Sequence, residues 1–446
     1  MVATQLPKPM RRKPRVAVIY SRSSEDTVAG QDLALYLGAC LQLGGYSDVL
    51  LVGFSSAGGA AAATATPLPP ETTVSVVPYG ARAPRTANPK ECRHAPWEAL
   101  RDCNMAIVCV DPRHTGACAK ALALELEKGD NVDFCCLSLQ IGVRNFPSIK
   151  AELGNHGIVL LDGAVGLEVV RHPATGALLC LLGRGGSLVV ERLGKEMAKR
   201  GGKFIDLLST AGLPMLYRKN ITPFTHGALV FGTGHWCVVL TGLSMRQFLR
   251  DWRGRMLWAA MIREAVRALR AAAMGGEWRP CSPCSWLSLR QLELFLCLPD
   301  IVFAPLSSLL LSVPEGLGPV AQADLRGGRN TAVEWTLGEL VRTGDRLRKD
   351  MPMCRLVLQG MRMAAEGMKG DGDGVPSMSL ESLWEGAGRP SASQWDMHKA
   401  AARWGGGLSL VIAAVHIAAG PLVAAAVLIL LSLYAAINYG TDTGVP

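Results

Sequence analysis

Residues 15–20 read RVAVIY and residues 48–54 read DVLLVGF, and between them residues 26–43 carry apolar side chains at helical spacing and stop at Gly44 and Gly45. Short Val/Ile-rich runs suit strands buried on both faces, whereas a 3.6-residue period predicts a helix lying across them. The alternation continues with strands expected at 74–77, 105–110, 134–139 and 157–161 and a helical stretch at 116–128. Strand, helix, strand repeated in this way predicts a parallel sheet with helices on both faces. The stretch 56–70, made largely of Ala, Gly, Thr and Pro, reads as a loop.

The pattern changes after about Lys195. Residues 196–210, 244–273, 287–296, 331–348 and 351–368 are helical in period, with few strand candidates among them. The chain of 446 residues thus divides into an α/β domain at 15–195 and a mainly helical one at 196–400. The sequence KGDGDG at 369–374 reads as a surface turn, since the remaining ligands of a calcium loop are missing.

Composition narrows the function classes. Apolar residues make up 49% and charged residues 19%, which leaves ample material for a core. The net charge of +9 is spread thinly, and its densest run is KPMRRKPR at 8–15. No aromatic residues interleave with it, so residues 1–14 are expected to form a solvated basic arm and nucleic-acid binding is rejected. Of 13 cysteines, several (Cys109, Cys135, Cys136) lie inside apolar runs where a thiol behaves as a small hydrophobe, as in a reducing compartment. Cys281 and Cys284 form one CxxC with no second pair at zinc-ribbon spacing, so no metal site is predicted. The N-terminus has no apolar core of a secretory signal.

From Gly405 to Thr441 there is no Asp, Glu, Lys or Arg. About 20 apolar residues suffice to cross a hydrocarbon core, so a transmembrane anchor is expected at 405–439, followed by a short tail at 440–446. Pro421 divides the run, and 421–439 could span alone with proline in its first turn. Trp404 suits one interface and Tyr434 and Tyr439 the other. Lys399 and Arg403 precede the span and only Asp442 follows it, which places the body on the cytoplasmic or matrix side.

Several phrases resemble the ketopantoate reductase (2-dehydropantoate 2-reductase) family. They are SLQIGVRN at 138–145, AGLPMLYRKNI at 211–221, residues 240–249 followed by Ile262-Arg263-Glu264-Ala265, and PSMSLESLWEGAGRP at 376–390. They fall in the family's order and cover most of residues 15–395. The resemblance implies a Rossmann-like N-terminal NADPH-binding domain, a mainly helical C-terminal domain and an active site in the cleft between them. It also implies an insertion at about 277–345, read as a contact region for a partner.

The residues that such chemistry needs are replaced. The family's glycine positions after the first strand fall on Tyr20, Arg22 and Glu25, where side chains take the pyrophosphate's space. The lysine expected after strand 105–110 falls on Asp111, and the asparagine of the family's QNG turn falls on Ile141. The substrate lysine would lie around Gly227 or Ala228, the nearby asparagines around 231–236, and the last glutamate aligns with Ala392. Ser377 alone is a retained substrate contact. The expected function is therefore a catalytically inactive, membrane-anchored accessory subunit of a membrane complex, with no cofactor. Its partners would be the bilayer and other subunits, by analogy in a mitochondrial inner-membrane (respiratory) assembly with the body on the matrix side. The alternative is a membrane-anchored NADPH-dependent 2-dehydropantoate-reductase-like oxidoreductase, with Arg22 on phosphate and His226 or His235 as the acid.

Overall fold

A computed structural model describes most of residues 14–388; the stretches 23–27, 56–73, 195–201, 273–279, 308–319 and 369–377, some shorter ones, and everything outside 14–388 lie outside it. In chain order the described elements begin with β1 (Arg15–Ser21), α1 (Val28–Leu43), β2 (Asp48–Phe54), β3 (Ser75–Val77), β4 (Arg85–Thr86) and β5 (Cys92–Ala95). They continue with β6 (Met105–Cys109), α2 (Thr115–Leu126), β7 (Cys135–Leu139), α3 (Asn145–Leu153), β8 (Val159–Val165), β9 (Glu168–Arg171), β10 (Leu178–Leu181), β11 (Leu188–Glu191) and β12 (Met215–Arg218). The helices α4 (Thr222–Thr241), α5 (Met245–Arg250), α6 (Trp252–Ala272), α7 (Leu289–Leu296), α8 (Val320–Arg326), α9 (Leu337–Arg346), α10 (Pro352–Gly367) and α11 (Leu380–Gly386) follow.

The main sheet runs β12-β11-β8-β7-β6-β1-β2-β5. Its strands β5, β2, β1, β6, β7 and β8 are mutually parallel, giving the 3-2-1-4-5-6 order of a doubly wound dinucleotide-binding sheet. Alternation along β1 explains the layers. Val16, Val18 and Tyr20 face the core under α1, while Ala17 and Ile19 face the core under α2 and α3. Cys109, Cys135 and Cys136 are buried free thiols in these layers, and burial pushes Cys136 up to about 12.

The sheets depart from the sequence reading in three places. Residues 74–77 lie in a separate four-stranded sheet, β4-β3-β10-β9, and the main sheet's edge beside β2 is β5, whose CRHA sequence carries no apolar alternation. The sheet is not wholly parallel, because β11 runs antiparallel to β8. It also extends beyond Lys195, since β12 pairs with β11 and belongs to the α/β domain.

The helical domain packs around α4, α6, α9 and α10. Residues 244–273, read as one helix, form two, α5 and α6, which break at Asp251; a Ser244–Gln247 capping box starts α5. The described helix α7 within 277–345 packs on the chain's own core. Leu289, Leu292, Phe295 and Leu296 of α7 are buried, and the buried Arg255 guanidinium donates to the carbonyls of Leu249 (3.0 Å) and Leu296 (3.2 Å). Among the described residues no helix is long and apolar enough to cross a membrane. The expected anchor at 405–439 and residues 1–13 of the arm at 1–14 lie outside them.

Candidate functional site

In a doubly wound sheet the ligand crevice opens at the carboxyl ends of the strands where the order reverses, here between β1 and β6. The ends of these strands are clipped together: the Asp111 backbone N–H donates to Ser21 Oγ at 2.6 Å. Tyr20 is 1% exposed. Its hydroxyl lies 3.2 Å from His94 Nδ1 at the end of β5, and burial raises its pKa to about 12. Burial, with the Arg22 charge beside it, lowers the His94 pKa, so this pair is neutral at pH 7.

Arg22 continues the same edge. Its backbone N–H donates to the Phe54 carbonyl at 2.9 Å, and its side chain lies across Gly53, where an added Cβ would fall 2.7 Å from Arg22 Cδ. Phe54 in turn packs on Trp97, ring centroids 5.5 Å apart. The helix after β1 starts at Val28, and the close approach of that helix to β6 is made by Gly30, whose Cβ would fall 2.5 Å from the Cys109 carbonyl oxygen. Sequence reasoning placed the third glycine of the turn at Glu25, outside the described residues, and missed Gly30. Its signal was a lone glycine in the helix's first turn.

Asp111 is 3% exposed and accepts from its own turn: the Arg113 backbone N–H at 3.0 Å and the Arg113 Nε at 3.1 Å. Beyond β7, Gln140 and its neighbours form a buried polar network. Gln140 Nε2 donates to the Val110 carbonyl (2.9 Å) and Thr115 Oγ1 (2.7 Å), and Thr115 Oγ1 donates to Asn145 Oδ1 (3.2 Å). Ile141 is 44% exposed, and its carbonyl accepts from Asn145 Nδ2 at 2.9 Å. Gly142, at φ +123°, lets the turn approach the helical domain, since a Cβ there would meet the Trp335 carbonyl at 3.2 Å. Beside it Arg144 pairs with Glu339 at 2.9 Å, and Arg342 holds the other carboxylate oxygen at 3.1 Å.

A strap at 280–284, containing the CSPC sequence, joins the two domains. On the helical side the Cys281 N–H donates to the Pro223 carbonyl at 2.8 Å, and a Cβ on Gly227 would collide with the Cys281 carbonyl. On the sheet side the Ser187 N–H donates to the Pro283 carbonyl at 2.9 Å, and a Cβ on Gly166 would collide with that same carbonyl. The strap thus covers the position expected to carry a substrate lysine. Burial raises the Cys284 thiol to about 12, and the thiol of the exposed Cys281 is raised as well, with Arg218 opposing. Among the described residues no three His, Cys, Asp or Glu side chains gather as metal ligands.

His226 and His235 are not brought together. Nine residues on one helix put them on opposite faces and about 13 Å apart along its axis. Burial lowers the His226 pKa to about 4, opposed by Glu339, while the His235 ring stands edge-on to Phe231, centroids 6.0 Å apart. Ser377 and Ala392 lie outside the described residues.

Residues 233–365 match the family model described as the ketopantoate reductase PanE/ApbA C-terminal domain. The helical half is similar to that domain, and the likeness extends over the whole fold. A PanE/ApbA-family ketopantoate reductase from Ralstonia eutropha JMP134 superposes with a TM-score of 0.54 at 16% identity, covering 80% of this chain and 100% of that one. A 2-dehydropantoate 2-reductase from Geobacter metallireducens GS-15 gives 0.54 at 15% identity, covering 78% of this chain and 99% of that one. A D-mandelate dehydrogenase solved with NADH and anilino(oxo)acetate gives 0.54 at 14%, covering 79% and 100%. No curated protein sequence matches the chain. At these identities the structural likenesses show a shared fold and nothing finer.

Proposed function

We propose that this chain is a catalytically inactive, reductase-like accessory subunit of a membrane protein complex, held to the bilayer by residues 405–439. The observation that carries the reading is the end of β1, Tyr20 to Arg22. A pyrophosphate needs backbone N–H groups free of side chains at a helix N-terminus. Here the first glycine position holds the buried Tyr20, hydrogen-bonded to His94, and Ser21 is spent on the Asp111 N–H. Arg22 lies across the end of β2, where the ribose would sit. These residues do not fit a dinucleotide. The 280–284 strap on Gly227 takes the space of the missing lysine, so the general acid of a ketone reduction has no seat there.

The run without Asp, Glu, Lys or Arg supports the anchor, and its flanking Lys399 and Arg403 support a body on the cytoplasmic or matrix side. A mitochondrial inner-membrane respiratory assembly is the proposed setting, by analogy with other enzyme-derived subunits there. The second reading, an NADPH-dependent oxidoreductase, draws on the dehydrogenase of the same fold solved with NADH. One titration separates the two. The full chain in mild detergent is titrated with NADPH while nucleotide fluorescence and melting temperature are followed. No change up to millimolar NADPH is expected. Saturable micromolar binding, worth about −8 kcal/mol, overturns the inactive reading. Native electrophoresis after detergent extraction then shows whether the chain travels within a large assembly, and migration alone would remove the subunit role.

A further inference from the structure

We propose that the corner between α5 and α6, with α11 beside it, rests on the headgroup layer of the bilayer that holds the chain's own anchor. The proposal rests on the anchor reading above. Its physical basis is an aromatic pair on the surface of the helical domain. Trp252 is 48% exposed at the first position of α6, and the half-buried Trp384 of α11 stands edge-on to it with ring centroids 5.0 Å apart. A shallow open hollow of about 430 Å³ adjoins Trp252, lined also by Gln247, Arg250, Asp251 and Arg253. Indole rings favour the layer where an apolar ring face and a polar N–H are both satisfied, and arginine stems lie along apolar surface with their heads in the polar zone.

Two further facts select the bilayer as the occupant. The first is reach. Trp384 stands four residues before Gly388, where the described residues end, and the apolar run begins at Gly405. Seventeen residues extend at most about 60 Å, so the anchor keeps this part of the body near the membrane whatever path the segment takes. A tether of that length maintains a high effective concentration of the surface to which it is attached. The second is charge. Arg246, Arg250 and Arg253 are balanced by Asp251, Glu381 and Glu385, and Arg253 itself is held by Asp251 (3.8 Å) and Glu381 (3.5 Å). A balanced face has no strong pull on anionic lipid or on an acidic or basic protein partner. Its seating is therefore driven by the indoles and is expected equally on zwitterionic lipid.

The test uses the full chain in phosphatidylcholine vesicles, in which brominated lipid quenches tryptophan near the headgroup end of the chains. Flotation comes first. The wild type is then compared with Trp252→Phe, Trp384→Phe and the double variant, which keep an aromatic ring at each position. The double variant is expected to lose quenched intensity belonging to two of the chain's 10 tryptophans, and the loss persists in 0.5 M salt. Hydrogen exchange on the unmodified chain is the second readout: peptides covering 245–254 and 380–388 exchange more slowly in vesicles than in detergent-free amphipathic polymer. If the chain floats but quenching and exchange at these segments are unchanged, the face is not on the membrane and the proposal falls while the anchor stands. A protein occupant for the same face gives that result in the purified chain. Failure to float overturns both.

Discussion

Substituting Gly227 by alanine tests whether the 280–284 strap is a built part of the domain junction. A Cβ on Gly227 collides with the Cys281 carbonyl, which is backbone and has no flexible end to swing away. The strap must move, and with it go the hydrogen bonds from Cys281 N–H to Pro223 and from Ser187 N–H to Pro283, 2.8 and 2.9 Å long. Each is worth about 1 kcal/mol, more where a buried partner is left unpaired. Alanine is a better helix former than glycine by about 0.5–1 kcal/mol, which offsets part of the loss. The net expectation is a destabilisation of about 1–2 kcal/mol, or a fall in melting temperature of about 1–2 °C at an unfolding entropy of about 2.1 cal/mol/K per residue. Gly232→Ala is the control on the same helix. Nothing lies within 4 Å of its added Cβ, so only the helix-propensity gain remains and the melting point rises by about 0.5–1 °C. Differential scanning fluorimetry of the full chain in detergent reads both. A Gly227→Ala protein that melts with or above the wild type refutes the strap argument, whatever the control does.

The other predictions concern titration and a helix cap. Burial lowers the folded pKa of His226 to about 4, so its neutral form stabilises the fold above pH 6.5 and that contribution drains away as pH falls toward 4. His226→Gln should flatten the acid limb of stability against pH by up to about 3 kcal/mol, and parallel curves for variant and wild type would contradict it. Asp162 has the opposite sign: burial raises its folded pKa from 3.8 to about 7, with Glu191 adding to the shift, so the contribution present at low pH is lost as pH rises through 7. Asp162→Asn keeps an acceptor for the Gly163 N–H and should stabilise the chain by about 2–4 kcal/mol at pH 8 but little at pH 4. Equal effects at both pH values would show that burial of the charge is not the cause. Glu264 accepts the Met353 and Cys354 N–H groups at the start of α10, at 3.1 and 3.0 Å. Glu264→Gln keeps one acceptor of the two, and chemical denaturation should read a loss of about 1–2 kcal/mol.

Strands buried on both faces announce themselves, because every position must be apolar; RVAVIY and DVLLVGF were legible for that reason. Edge strands escape the same test. CRHA at the sheet edge and MLYR of β12 are half exposed and are ordered by their pairing with β2 and β11, which no local pattern records. The candidate site divides in the same way. The replacement of a glycine by Tyr20 could be read directly, but its partner His94 is 74 residues away on β5, a strand that was itself missed. CSPC was visible as a pair of cysteines and suggested thiol chemistry to be weighed. What matters is the carbonyls between them, which meet Gly227 and Gly166, and carbonyls leave no mark on a sequence.

The phrases that carried the family resemblance prove to be packing instructions. In LTG, the Thr241 hydroxyl donates to the Cys237 carbonyl at 2.8 Å and Gly242, at φ +67°, ends α4 in the left-handed conformation. In the phrase around Arg263 and Glu264, the arginine pairs with Glu293 of α7 at 2.7 Å and the glutamate caps α10. In SLQIG, Gln140 ties β7 to α2 from inside, while the exposed Ile141 beside it ties nothing with its side chain. Each of these residues therefore has a packing role that needs neither nucleotide nor substrate. Loss of Glu264 or Gln140 would strand buried polar groups at a cost of about 1–3 kcal/mol each, whereas Tyr20, Arg22 and Asp111 have hydrogen-bond partners within the protein. A fold kept for its body rather than its crevice would diverge in this pattern, and the NADPH titration asks whether the crevice has followed.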